Sequence, residues 1–435
     1  MNVAILGFGS QGVSSLEYWQ GLGHTITVCD RVEGLELPPG INGQLGADYL
    51  QGLEKFDLVV RSPSIHPRDI VAANSDAILE KVTTNTNEFM RVCPSRNIIG
   101  VTGTKGKGTT STLISRMLEE AGFTVHLGGN IGTPPLEMLK AGIAPEDYVV
   151  LELANFQLID IKYSPHVAVC LMVEPEHLDW HSDLEEYIAA KQQLFRWQVP
   201  GDIAVFYAPN ELSTSVAAVS NGTKIPYFAN PGALIAEGVI RIGDTEICPV
   251  DQVGLLGEHS WQNICAAITV VWQTTQDVAA IRKVVQTLQG LPFRIEPRRE
   301  INTITFYNDS YATAPGATIA AIRAVTQPKV LIIGGYDRGL PLDQLAAEIT
   351  SHADSIRKVV IIGASGERLS QALKITGFSN FELNSSSDMV SIVQAAYSLA
   401  KPGDAVLLSP AFASFDMFKN FEERGKRFNE AVESL

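Results

Sequence analysis

The sequence predicts an α/β protein of three domains, and three observations lead there. Apolar strand-like runs alternate with helical stretches along most of the chain, the phrasing of parallel sheets covered on both faces. Two glycine-rich loops, Gly7 to Gly12 and Gly103 to Gly108, each follow such a run and open a helical stretch. The length, 435 residues, exceeds what one core usually holds. Breaks near "FMRVCPSRN" and "GLPFR" divide the chain into 1–93, 94–292 and 293–435.

Composition narrows the function classes. A formal net charge of −15 argues against nucleic-acid or anionic-membrane partners, which need clustered Lys and Arg. Anionic small substrates need only a local positive site. Five cysteines lie far apart with no zinc spacing, which implies buried thiols in a reducing compartment. There is no basic leader and no apolar run of membrane-spanning length, so a cytoplasmic protein is expected. No internal repeat or low-complexity tract occurs.

The first block opens with a strand at Val3 to Leu6, then "GFGSQG", a helical pattern, and "HTITVCD" ending at Asp30. Glycines at this spacing with an acid ending the second strand suit a dinucleotide, and NAD binding is the obvious reading. The central block opens with the strand "NIIGV", then "GTKGKG", then the helical "TTSTLISRMLEEAG", with Gly122 as its C-cap. Strand, glycine loop and helix make a phosphate loop: backbone N–H groups approach the phosphates and the helix dipole assists. Lys107 would meet the β- and γ-phosphates. Gly108 stands where a hydroxyl residue normally follows the lysine, and the hydroxyls of Thr109 and Thr110 come one and two places later.

Further along, Glu152 ends the apolar strand "DYVVLEL". His177 follows the next strand in "VEPEHLDWH", and Lys191 lies on the helical "EEYIAAKQQLF". Each alone suits a bland role, as strand-end carboxylate, surface histidine or solvated lysine. Together they suit magnesium, a hard cation that takes oxygen ligands and tolerates one imidazole. The third block has four apolar strands, "TITFYNDS", "KVLIIGG", "KVVIIGA" and "DAVLLSP", each followed by a helical stretch. It closes with "FASFDMFKNFEERGKRF", an aromatic turn running into a charged helix.

"GVTGTKGKGTTSTLI" resembles the ATP loop of the Mur ligase superfamily, which makes amide bonds, and the likeness continues in order through all three blocks. It implies a Rossmann-like N-terminal domain for a UDP-precursor, a central P-loop ATPase-type domain, and a Rossmann-like C-terminal domain for the amino acid. ATP would contact Gly103, Thr104, Lys105, Gly106, Lys107, Gly108, Thr109, Thr110, Asn263, Arg294 and Asp309. Two Mg²⁺ ions would be held by Thr109, Glu152, His177 and a carbamylated Lys191, with Lys107, His177 and Lys191 catalytic. The precursor would meet Ser10, Gln11, Asp30, Arg31, Ser64, Asn130 and Gln157. The amino acid would meet Thr313, Arg338, Ser414, Phe415 and Phe421.

The C-terminal motif resembles the branch that adds D-glutamate. The resemblance implies a monomer acting on UDP-N-acetylmuramoyl-L-alanine and glutamate through an acyl phosphate, in peptidoglycan precursor synthesis. Several residues depart from the pattern. Ala154 and Asn155 replace a serine pair, Tyr311 stands where a lysine is usual, Ala314 where asparagine is usual, and Arg338 where a lysine holds glutamate. Alternatives are ligation of L-glutamate or another amino acid, and a folylpolyglutamate-type ligase, which Gly108 favours. An NAD-dependent dehydrogenase and a non-catalytic nucleotide-binding regulator stand outside the family.

Overall fold

The computed structural model describes residues 1–255, 257 and 259–435. They form two compact units, 1–252 with 261–286, and 253–260 with 287–435. The expected boundary at 93/94 falls inside the first unit, between its two large sheets. The one at 292/293 lies close to the change of unit.

The first unit opens with a five-stranded parallel sheet of β1 (Asn2–Leu6), β2 (Thr25–Asp30), β3 (Asn42–Leu45), β4 (Leu58–Arg61) and β5 (Val82–Thr84), in the order β3-β2-β1-β4-β5. Val3 to Leu6 are fully buried, as a strand covered on both faces requires. A second parallel sheet contains β6 (Ile98–Thr102), β7 (Val125–Gly129), β8 (Tyr148–Glu152), β9 (Val167–Cys170), β10 (Ile203–Tyr207) and β11 (Thr223–Tyr227), in the order β11-β10-β9-β6-β8-β7. The order in which the strands are laid down switches sides at β6, and the carboxyl ends of β6, β8 and β9 therefore frame a crevice of the kind that binds ligands. Glycine loop, Glu152 and the His177 segment follow those three ends.

Alternating strands and helices were expected throughout the central block. Instead β12 (Ala233–Ala236), β13 (Val239–Ile242) and β14 (Thr245–Pro249) form an antiparallel meander. The reason is local. Glu237 and Gly238 both take positive φ, 52° and 74°, the turn that matches hairpin twist.

The second unit holds β15 (Glu296–Ile301), β16 (Ile304–Asn308), β17 (Lys329–Gly334), β18 (Ile356–Ile362), β19 (Phe381–Leu383) and β20 (Ala405–Leu408), in the order β15-β16-β20-β17-β18-β19. All pairs are parallel except β15 with β16, joined by a turn at Asn302 and Thr303 with φ of 51° and 62°. The edge strand thus departs from the all-parallel expectation. All five cysteines are buried and unpaired, as the spacing implied. Among the described residues no helix is long and apolar enough to cross a membrane.

Candidate active site

The glycine loop is shaped by close approach. Gly103, at φ 149°, passes so near Leu171 that a Cβ would sit 2.6 Å from the leucine Cβ. Gly106, at φ 84°, caps the helix Lys107–Glu120, so the free N–H groups of the first turn face the loop. Thr104 stitches the loop to the segment after β9. Its N–H donates to Met172 O at 2.9 Å, its hydroxyl receives the Glu174 N–H at 2.9 Å, and it pairs with the Tyr187 hydroxyl at 2.8 Å. Lys105 is exposed and faces the Glu174 carboxylate at 3.4 Å. Gly108 and Thr109 are half-buried in the first helical turn, and Thr110 is buried, donating to Asn263 Oδ1 at 3.4 Å. Asn263 itself packs against the loop, 2.2 Å from where a Cβ on Gly106 would stand.

Two ammonium groups converge on one carbonyl. Lys107 Nζ donates to Gly103 O at 3.0 Å and to Thr104 O at 2.9 Å. Lys191 Nζ, on the helix Leu184–Arg196, donates to the same Gly103 O at 3.2 Å and lies 4.5 Å over the Tyr187 ring. Lys191 is 1% exposed. Burial first, and then the charge of Lys107, bring its pKa down to about 7. It is a buried lysine beside a phosphate loop, not a solvated helix lysine.

Glu152 is buried at the end of β8, where its Oε1 accepts the Asn130 amide at 3.1 Å. His177 sits in the left-handed region at φ 57°, with its ring 4.8 Å from that of Phe156. Burial, opposed by Glu176 and helped by Lys107 and Lys191, holds its pKa below the usual histidine value. A neutral imidazole and a carboxylate thus line the crevice that contains both lysines.

A neighbouring cluster escaped the sequence reading. Glu186 Oε2 receives the Ser182 N–H at 2.8 Å, His181 Nδ1 at 3.1 Å and His66 Nε2 at 3.4 Å. The three ligand-type side chains lie within 4.8 Å of one another, but His66 Nδ1 accepts the Arg68 N–H. That pattern assigns the ring proton to Nε2, so the cluster is a hydrogen-bonded latch between the two sheets of the unit, not a metal site. Arg61 makes a second link. Fully buried, it grips Asp160 through Nε at 2.8 Å and Nη2 at 2.6 Å, and donates to Phe156 O and Ile65 O.

At the first glycine loop, Gly12 lets the helix approach β1: a Cβ there would lie 2.1 Å from Gly7 O. Asp30 accepts the Phe8 N–H at 2.8 Å and the Val32 N–H at 3.0 Å, bracing the loop. Ser10, Arg31 and Ser64 are exposed around it, and Gln11 Oε1 is buried with no hydrogen-bond partner among the described residues. Gln157 is 1% exposed and engaged internally, receiving the Ala154 N–H at 3.0 Å and donating to Thr86 at 3.4 Å. Gln157 thereby supports the β8 loop.

In the second unit the carboxyl ends of β16, β17 and β20 collect the remaining candidates. Asp309 is buried and receives the Ser409 hydroxyl at 2.7 Å and the Ile295 N–H at 3.1 Å, with burial pushing its pKa up to about 7. Arg294 stacks on Tyr311, its guanidinium carbon 3.6 Å from the ring centroid, and Tyr311 meets Phe421 edge-on at 5.0 Å. Arg338 is exposed and donates to Thr313 O at 2.6 Å. Ser414 Oγ is buried with no hydrogen-bond partner among the described residues, while Phe415 is 65% exposed beside Tyr336. Arg424, which the sequence reading passed over, is buried and ties these loops together. It donates to Ser310 Oγ, Ser310 O, Phe412 O and Ala413 O, and burial lowers its pKa to about 10.

Residues 101–271 match the Mur ligase middle domain, and residues 293–412 the Mur ligase glutamate ligase domain. The whole chain is 37% identical to a UDP-N-acetylmuramoylalanine–D-glutamate ligase of Acetivibrio thermocellus, covering 96% of it. It is 35% identical to the ligase of the same name from Clostridium tetani, again over the whole chain and 96% of the relative. Among solved structures the fold is similar to a UDP-N-acetylmuramate–alanine ligase of Thermotoga maritima, with a TM-score of 0.61 and 16% identity over 100% of this chain and 99% of that one. Escherichia coli FolC is similar over 80% of this chain and 91% of its own, with a TM-score of 0.60 and 18% identity.

Proposed function

Because the chain belongs to the Mur ligase family, we propose that it is the ATP-dependent ligase that joins D-glutamate to UDP-N-acetylmuramoyl-L-alanine. The observation that carries this reading is the convergence of Lys107 and Lys191 on the Gly103 carbonyl, in a chain that matches D-glutamate ligases from end to end. Joining a carboxylate to an amine with ATP brings two anions together. The precursor carboxylate attacks the γ-phosphorus, ADP leaves, and the resulting acyl phosphate is attacked by the glutamate amine with loss of phosphate. Cations aimed at the transferring group lower that barrier.

The donor set suits magnesium once Lys191 is converted. Its amine, with a pKa brought down to about 7, adds to CO₂ with loss of one proton, and the carbamate would replace a cation by an oxygen donor close to neutral His177, with Glu152 at the end of β8 as a further oxygen donor. Bound there, Mg²⁺ would neutralise phosphate charge. Thr109 is the loop hydroxyl that would serve it.

The buried Gln11 and Ser414 oxygens without partners are the hydrogen-bonding capacity that a bound precursor and amino acid would satisfy. Arg338 is the cation for the side-chain carboxylate of glutamate. The three binding functions follow the expected 1–93, 94–292 and 293–435, in a cytoplasmic monomer.

Phosphate release from ATP tests this reading, measured with UDP-N-acetylmuramoyl-L-alanine and a panel of D- and L-amino acids. Turnover is expected only with both substrates and best with D-glutamate. Preference for L-glutamate or a neutral amino acid would sink the branch assignment, and turnover with a folate acceptor in place of the UDP-precursor would move the chain to another branch. Binding of nicotinamide nucleotide without ATP turnover would remove it from ligase chemistry.

A further inference from the structure

The segment that carries Arg294 is held in an unusual shape. Phe293 and Ile295, on either side, both lie in the left-handed region, at φ 64° and 46°. For a β-branched residue such as Ile295 this is a conformation maintained only by its surroundings. Contacts along its length maintain it, the Phe293 N–H to Glu296 Oε2 at 2.9 Å and the Arg294 N–H to Leu291 O at 3.0 Å among them. Tyr311 N–H donates to Phe293 O at 2.9 Å, Ile295 N–H donates to Asp309 Oδ1 at 3.1 Å, and the Phe293 ring packs on Gly425, where a Cβ would stand 2.3 Å from it. Arg294 leaves this pinned segment and lays its guanidinium face on the Tyr311 ring at 3.6 Å. Face stacking engages none of the guanidinium N–H groups, which lie in its plane and stay directed outward. Phe421 meets the same Tyr311 ring edge-on at 5.0 Å.

We infer that Tyr311 is a positioning residue: its ring fixes the guanidinium of Arg294 for an anionic nucleotide and couples that arginine to Phe421 at the amino-acid end of the unit. A lysine at 311, usual in the resemblance, would repel Arg294 at this distance; an aromatic ring attracts it. The inference rests on the reading of Arg294 as a nucleotide contact.

A double-mutant cycle read by equilibrium binding of ADP with Mg²⁺ to the full chain separates the two. Tyr311→Met, which keeps the length and loses the ring, is expected to weaken ADP binding about 3- to 20-fold, the range of a partly desolvated cation–π contact. In the Arg294→Ala background the same change is expected to add almost nothing. Tyr311→Phe is expected to restore binding to within about 2-fold, and in turnover Tyr311→Met should raise the KM for ATP more than kcat falls. Equal losses in both backgrounds, or a Tyr311→Phe variant as weak as Tyr311→Met, would overturn the inference and leave the nucleotide reading standing. An Arg294→Ala variant that binds ADP like wild type would overturn both.

Discussion

Burial sets the chemistry of Lys191. An ammonium at this depth, sharing a carbonyl with Lys107, is costly, and the pKa near 7 is the result. If the residue works as a carbamate, Lys191→Ala leaves the site one anion short. Turnover is then expected to fall by at least about 100-fold and to recover partly with added acetate, a small carboxylate that fits the vacated volume. Full activity of Lys191→Ala without acetate would make the lysine structural. Asp309 is the mirror case, a carboxyl raised from 3.8 to about 7 chiefly by burial. Its protonated form suits the interior, so its contribution to stability is fully present below about pH 4 and is lost as pH rises through about 7. Urea midpoints of wild type and Asp309→Asn, measured from pH 4 to pH 8, should therefore diverge, with the wild type losing ground. Parallel curves would mean that the hydrogen bonds from Ser409 and Ile295 outweigh burial.

At the scale of elements, the loops after strands carry the site and glycine makes them possible. Gly106→Ala would put a Cβ 2.2 Å from Asn263 Oδ1 at a φ of 84°. Strain of about 1–2 kcal/mol and a displaced Asn263 should reduce ADP affinity by at least about 10-fold. The far strands of the sheet are untouched, so the melting temperature should drop only about 2–4 °C. The link between the first two sheets is more sensitive. Arg61→Ala strands the Asp160 carboxylate and opens six hydrogen bonds, a loss of about 3–5 kcal/mol measurable as a lower urea midpoint. Arg61→Lys should recover less than half, because an ammonium cannot reproduce the fork. Arg323→Ala, which breaks a bidentate pair between an exposed guanidinium and a mostly buried Glu348, should lower the midpoint less than Arg61→Ala does.

These loops also show what was legible in the sequence. The strands of the large sheets, the glycine loop and its helix could be read because apolar runs and glycine spacing are local signals. The charge state of Lys191, the Glu186 latch with His66 and His181, and the brace of Arg424 could not. Each depends on partners distant in sequence that bury or neutralise the group. The meander of β12 to β14 had a local signal, Glu237-Gly238 between alternating residues, and it was masked by the helix-and-strand phrasing around it.

For the molecule as a whole, the charge of −15 must be set against substrates that are themselves anions: a UDP-sugar, ATP and glutamate. Two effects of opposite sign act on their approach. The summed charge repels at long range, while the cations at the sites attract at contact. Salt distinguishes them, because exposed charges more than a Debye length apart are screened, about 8–10 Å at physiological ionic strength, whereas buried close pairs are screened far less. Lys107 belongs to the second class, since its ammonium is committed to the Gly103 and Thr104 carbonyls of the glycine loop. Raising NaCl from about 10 to about 150 mM at fixed Mg²⁺ should therefore remove repulsion faster than attraction. The expected outcome is a rise of about 2- to 3-fold in kcat/KM for the UDP-precursor, with kcat unchanged because the contacts in the bound complex are short. A fall in kcat/KM over the same range would mean that a positive field at the sites extends beyond the Debye length and that the acidic surface has no influence on capture.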